Sequence, residues 1–273
     1  MIECVVVLAA GLNRRMGGPS GPKSLLPLRP GDADGPSFLS RNLELYRAHG
    51  VRRVVLVVNS EQRRTFERFA AEDVELVTVP TAAEPTGSSV SMAAGLAAVL
   101  RRFPAGVRVL VTDADVVYER AVLDRAAGLG RSALLTIDRV SGDGEEVRVY
   151  GRAEDEPVLI GKGLSSSLTA GLELLGESLG LIVLDGPEVR LAAEVVQWIV
   201  GDPPQVRPYG YGGRRSEHEE VWQYLFTLGR LPVARIDGNL LFSECDFPED
   251  LAHIQQELYP AIRERDEPAA VLR

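Results

Sequence analysis

Four short apolar runs in the first half of the chain limit what it can fold into. They occupy residues 4–10, 54–58, 74–79 and 107–111 and are rich in valine and leucine. Runs dominated by valine and leucine predict strands buried on both faces, as in a parallel sheet covered by helices. Helical patterns separate them. Ser37 caps a helix that runs to His49 and stops at Gly50; a polar-faced helix covers 61–71; Ser88 or Ser89 starts one that reaches about Leu100. The alternation predicts an α/β fold with a Rossmann-like, mostly parallel sheet flanked by helices. Right-handed crossovers then set the C-terminal strand ends along one edge, where open sheets bind ligands. The loops after the first and fourth strands would meet there.

The middle of the chain reads differently. Residues 133–139 and 147–150, joined by Ser141-Gly142-Asp143-Gly144, predict an antiparallel hairpin. Strands at 158–160 and 179–184 extend this into a smaller β-rich insertion. Helical patterns return at 189–199, 217–228 and 249–258. One domain over 1–262 is expected, with a frayed, charged tail over 263–273. The full 273 residues are enough to bury a core.

A net charge of −9 argues against nucleic acid as a partner. A local basic patch can still attract a small anion. No apolar run is long enough to span a membrane, and no basic residues precede the apolar start as in a signal segment. The two cysteines, Cys4 and Cys245, fit no metal or redox spacing. The expectation is a cytoplasmic protein acting on small molecules, away from nucleic acid and membrane. A homodimer stays open.

The loop after the first strand carries most of the chemistry. It runs Leu8-Ala9-Ala10-Gly11-Leu12-Asn13-Arg14-Arg15-Met16-Gly17-Gly18-Pro19-Ser20-Gly21-Pro22-Lys23. Small residues let the backbone approach a ligand and aim N–H groups at phosphate oxygens. Arg15 offers a planar fork and Lys23 a point charge. Two familiar phosphate loops do not fit. The dinucleotide fingerprint needs glycine where Asn13 and Met16 stand, and Walker A needs glycine where Pro22 stands. A plain surface turn is the competing reading.

Leu8-Ala9-Ala10-Gly11, Arg15-Met16-Gly17, Pro22-Lys23 and Leu26-Pro27-Leu28 resemble the signature of nucleotidyltransferases with a glycosyltransferase-A-like fold, the MobA-like NTP transferases. The resemblance implies that Ala9, Ala10, Gly11, Asn13, Arg14, Arg15, Met16, Gly17 and Lys23 wrap a triphosphate, with Arg15 and Lys23 as the catalytic cations. Asn13 stands where many members have glycine; asparagine tolerates the left-handed geometry such a turn needs.

Asp113-Ala114-Asp115 closes the fourth strand, and Ser243-Glu244-Cys245-Asp246-Phe247-Pro248-Glu249-Asp250-Leu251 lies far downstream. By resemblance, Asp115 and Asp246 hold a divalent metal, Mg²⁺, with Asp113 as a further ligand or a support. Ordinary capping and helix-terminus roles compete for these acids. Thr86, Gly87, Ser88 and Ser89 resemble the segment that faces the nucleobase; a plain helix cap is the alternative there.

Ile160-Gly161-Lys162 and Gly176-Glu177-Ser178-Leu179-Gly180 look like small-molecule cytidylyltransferases of the phosphocholine or 2-aminoethylphosphonate type. That points to CTP as the nucleotide substrate. Lys162, Glu177, Tyr118 and Glu217 are the candidates for the acceptor side. The acids and aromatics of 217–224 suit a cationic amine or, equally, a solvated helix face. The expected reaction transfers CMP from CTP to a small phosphate or phosphonate and releases pyrophosphate. A sugar-1-phosphate or molybdopterin nucleotidyltransferase using another NTP, and a non-catalytic nucleotide-binding regulator, remain the rivals.

Overall fold

A computed structural model describes residues 1–11, 16, 21–32, 34–81, 87–139, 146–201 and 217–267. Within them, β1 (Cys4–Leu8) lies at the centre of a sheet, parallel to β2 (Arg53–Asn59) on one side and to β4 (Val109–Asp113) on the other. Beyond β2 is the parallel β3 (Val74–Val79). Beyond β4 runs the long reversed β9 (Glu173–Leu184), then β6 (Ala133–Ile137), then β10 (Val233–Ile236) parallel to β6. The order is β10-β6-β9-β4-β1-β2-β3; β7 (Arg148–Gly151) and β8 (Pro157–Gly161) attach through β9. A separate two-stranded ladder joins β5 (Val116–Tyr118) to β11 (Phe242–Glu244). The sheet is therefore mostly parallel, with β9 and β8 reversed.

Both faces are covered because both faces of β1 are apolar. Its pleat sends Val6 and Leu8 to one side and Val5 and Val7 to the other. On the first side lie Leu96 and Met92 of α3 (Ser88–Arg102), Val189 and Val196 of α5 (Gly186–Val200), and Trp222 of α6 (Glu219–Thr227). On the second lie Leu39 and Tyr46 of α1 (Phe38–Ala48) and Val122 and Leu123 of α4 (Arg120–Gly128). Ser37 caps α1 as expected, accepting from the Ser40 amide while Ser40 Oγ accepts from the Ser37 amide.

Gly95 lets α3 close onto the sheet. A Cβ there would lie 2.5 Å from Val6 Cγ1 and 3.1 Å from Val57 Cγ2. Gly95→Leu should lower stability by about 1–3 kcal/mol through overpacking, read from the denaturant midpoint. An unchanged midpoint would show that the α3–sheet contact is looser than it looks here.

Several expectations need correcting. Residues 133–139 and 147–150 are both strands but do not pair with each other. β6 pairs with β9 and β10, and β7 with β8 and β9. The 12-residue β9 is long enough to serve both β6 and β7 at different places. The helix over 61–71 is one turn, α2 (Arg63–Phe66), followed by a 3₁₀ turn (Glu67–Phe69). The pattern at 249–258 forms α7 (Pro248–His253) and a π turn (Ile254–Leu258), and continues into α8 (Tyr259–Asp266). Residues 263–266, expected to fray, are helical because both ends of two ion pairs are well placed. Arg41 holds Asp266 at 2.8 Å and Arg265 holds Glu119 at 3.0 Å. Residues 268–273 lie outside the described set.

Candidate active site

Lys23 opens a single 3₁₀ turn (Lys23–Leu25) after the extended Pro22. The stretch behind it is anchored: Leu28 is fully buried with Phe38, Val117, Cys245 and Ile254, and Gln255 donates to the Pro27 carbonyl at 2.7 Å. The C-terminal helices thus hold the downstream end of the glycine-rich loop. Asp115 follows β4 at a bend before β5. The β5–β11 register sets Glu244 opposite Val116, and the Cys245 amide donates to the Asp115 carbonyl at 3.1 Å. This short ladder brings the distal acids, more than a hundred residues further along the chain, to the end of β4.

Lys23 Nζ lies 2.6 Å from Asp115 Oδ2 and 3.0 Å from Asp246 Oδ1, and donates to the Cys245 carbonyl at 2.8 Å. Burial works against its charge, but Asp115 and Asp246 outweigh burial and hold the ammonium above the ordinary lysine value. Asp115, Glu244 and Asp246 each present an oxygen within 4.8 Å of the others. Hard carboxylate oxygens in this number suit a divalent cation such as Mg²⁺. The Glu244 carboxyl is pushed well above the carboxylate range, by desolvation first and by Asp115, Asp113 and Asp246 next. Because Glu244 is open to solvent, the like charges are the weightier cause.

Asp113 is placed differently from Asp115. Its carboxylate stands 3.9 Å from His218 Nε2 and takes no part in the three-acid group. Gly180, in the left-handed region at φ 62°, leaves the space for it: a Cβ there would lie 2.9 Å from Asp113 Oδ2. Desolvation pushes the Asp113 carboxyl up to about 7, opposed by His218 and reinforced by Asp115.

The start of α3 is tied to the start of α6. Glu217 accepts from the Ser88 amide at 2.9 Å and from Ser88 Oγ at 2.8 Å, and the His218 amide donates to Ser88 Oγ at 2.8 Å. Glu217, expected near the acceptor, caps α3 here. Its neighbour Glu220 is buried, and its Oε2 has no hydrogen-bond partner among the described residues. Desolvation, then Glu217 and Glu219, push the Glu220 carboxyl up to about 7. That lies above its unfolded value of about 4.3, so the folded state keeps the proton longer. Stability should then fall as pH rises from about 4 to about 7. Glu220→Gln should raise Tm above the wild type near pH 8 and leave it unchanged near pH 4. Equal shifts at both pH values would contradict this.

Of the other sequence candidates, Ala9 is buried and Ala10 accepts through its carbonyl from Asn59 Nδ2 at 3.3 Å. Gly11 is exposed, with no atom of the described residues within 4 Å of a Cβ placed there, and Met16 packs against the Leu28 cluster. Gly87, at φ 80°, precedes α3, and Ser89 is fully buried in its first turn. Lys162 is exposed just past β8, close enough for its charge to oppose protonation of His218. Glu177 is half-buried in β9 opposite Arg148. Tyr118 is fully buried, its hydroxyl bonded to that of Tyr46 at 3.2 Å, which takes it away from any acceptor. Asn13, Arg14, Arg15, Gly17 and Thr86 lie outside the described residues. Sequence reasoning did not assign Glu244 or His218. The spacing of Glu244 two residues before Asp246, in extended chain, was a readable signal for one shared face. For His218 the sequence carried none.

The model of the MobA-like NTP transferase domain matches residues 5–179. By structure, the chain is similar to the inositol-1-phosphate CTP transferase from T. maritima. The TM-score is 0.65 at 18% identity, covering 94% of this chain and 98% of that one. No curated protein matches by sequence. No helix among the described residues is long and apolar enough to cross a membrane. The matched family model spans β1, the Lys23 turn, the end of β4 and most of β9, the segments that assemble the Lys23–Asp115 pair, and the chain belongs to the MobA-like NTP transferase domain family and is a nucleotidyltransferase.

Proposed function

We propose that the chain transfers CMP from CTP to a small acceptor bearing a phosphate or phosphonate, releases pyrophosphate, and uses Mg²⁺. The observation that carries this reading is the meeting of Lys23 with Asp115 and Asp246 at the C-terminal end of β4. A cation and paired acids at that edge suit a nucleoside triphosphate and a divalent ion. CTP is favoured by the Ile160-Gly161-Lys162 and Gly176–Gly180 motifs. The nearly full-length likeness to an inositol-1-phosphate CTP transferase supports CTP and an anionic acceptor of this size.

Asp115 and Asp246, with Glu244 beside them, would hold the metal ion. When bound, it would neutralise charge on the phosphate oxygens. The acceptor oxygen forms the new bond to the α-phosphorus while the bond to the β-phosphate breaks, and the electron pair leaves with pyrophosphate. An acceptor phosphate is already largely ionised near neutral pH, so the chain needs no general base. Its own part is positioning and charge: Lys23 turns to the triphosphate oxygens, joined by Arg15 from the same loop. The anchored turn behind Lys23 fixes where that cation can reach. The two buried thiols, Cys4 and Cys245, suit the reducing conditions of the cytoplasm.

The test is pyrophosphate release across the four NTPs, with a panel of phosphocholine, 2-aminoethylphosphonate, a hydroxyalkylphosphonate and inositol-1-phosphate. Turnover with CTP and one acceptor is the expected result. Preference for another NTP would favour a sugar-1-phosphate or molybdopterin substrate. Tight nucleotide binding with no pyrophosphate from any pairing would remove the reading.

A further inference from the structure

Lys23 has three ammonium protons, and each already has an acceptor: Asp115 Oδ2 at 2.6 Å, Asp246 Oδ1 at 3.0 Å and the Cys245 carbonyl at 2.8 Å. To take a phosphate oxygen, the ammonium must release at least one of them. The two carboxylates that hold it are also two of the three that would hold a metal ion. Their side chains are 16% and 18% exposed, so they have little freedom to serve a second cation elsewhere. An Mg²⁺ ion sits at about 2.0–2.1 Å from carboxylate oxygens, closer than the ammonium does. The ion and the ammonium therefore contend for the same space. Nor can Lys23 swing away on a loose backbone. Its turn is closed by Leu25 and Leu26 amides donating to the Pro22 and Lys23 carbonyls at 2.9 and 3.0 Å, and Leu28 is buried just beyond.

We propose that Lys23 is an internal counter-ion that closes the three-acid centre to free divalent cations, so that metal enters only together with the nucleotide. A triphosphate offers the ammonium replacement acceptors and brings the negative charge that retains the ion. One side chain thus links the two binding events: until its protons have phosphate oxygens to go to, the carboxylates stay neutralised. This rests on the metal-dependent reading above and adds an order of binding to it.

The experiment titrates Mn²⁺ alone into the nucleotide-free protein and follows free Mn²⁺ by electron paramagnetic resonance. Lys23→Met should bind Mn²⁺ at least about tenfold more tightly than the wild type, within the range of a typical coupling between two sites. Lys23→Arg, which keeps the charge, should stay as weak as the wild type. Asp115→Asn added to Lys23→Met should abolish the gain. Where Lys23→Met lowers Tm by exposing the acids to one another, Lys23→Gln keeps two N–H donors and serves for the same titration. Adding CTP to the wild type should restore tight Mn²⁺ binding. Equal, tight binding by wild type and Lys23→Met without nucleotide would overturn the proposal and leave the metal centre standing. Retention of the gain in the double variant would place the ion elsewhere and overturn it too. No Mn²⁺ binding by any form, with or without CTP, would overturn the metal reading itself and the proposal with it.

Discussion

Lys23→Ala should lower kcat by at least about a hundredfold, the scale of losing one preorganised charge contact to a transition state. Asp115→Asn should do the same. The argument lies in what each side chain can still do after substitution. Alanine at 23 leaves Asp115 and Asp246 facing each other without the cation that now lies between them. It also removes the charge that would meet the phosphates. Asparagine at 115 keeps the shape and the backbone link to Cys245, but it gives up the negative charge that a metal ion needs. Neither residue belongs to the main apolar clusters, so the rate loss should persist at temperatures where each variant is fully folded, whatever Tm is lost by unpairing the acids. Initial rates of pyrophosphate release under saturating CTP check this. Rates within a few fold of the wild type would remove both residues from the mechanism.

Trp222→Ala should destabilise the fold by about 3–5 kcal/mol, the usual cost of emptying a buried aromatic site. Trp222 is fully buried, and its ring meets His218 edge-on at 6.0 Å between centroids. It belongs to the same core as Leu96 of α3 and Val189 of α5, so the cavity would open where three helices converge on the sheet. The loss should also reach the site edge. The residues just before Trp222 include Glu217 and His218, which fasten the first turn of α3. A denaturant titration measures the stability term. A change under about 1 kcal/mol would mean that α6 contributes little to the core.

The strands and the chemistry of the site were legible for different reasons. β1 and β2 could be read because a parallel strand buried on both faces needs an unbroken apolar run; β3 was legible as a strand, but it forms the sheet edge and is only partly buried between Glu75 and Thr78. Lys23 and Asp115 could be read because each sits in a short contiguous motif after such a strand. Asp246 was legible as an acid in a motif; its nearness to Lys23 depends on the β5–β11 ladder, which no local pattern announces. The hairpin expected over 133–150 shows the limit. Alternation marks a strand but does not name its partner, and β9, arriving later in the chain, took both candidates. Tyr118 shows it from the other side. Tyr118 was a candidate for the acceptor side, yet the ring is fully buried and its hydroxyl is bonded to that of Tyr46. His218 was invisible because its partner Ser88 is 130 residues away and the contact exists only once α3 and α6 pack on the same face.

If Lys23, Asp115 and Asp246 together hold a metal–nucleotide complex, the ion must lie between the two carboxylates. A crystal soaked with CTP and Mn²⁺, measured for anomalous scattering, tests this most directly. The expected density is a Mn²⁺ peak between the carboxylates of Asp115 and Asp246, with Lys23 turned onto the triphosphate. A fully occupied nucleotide whose Mn²⁺ lies away from both aspartates, with Lys23 still bonded to them, would contradict it.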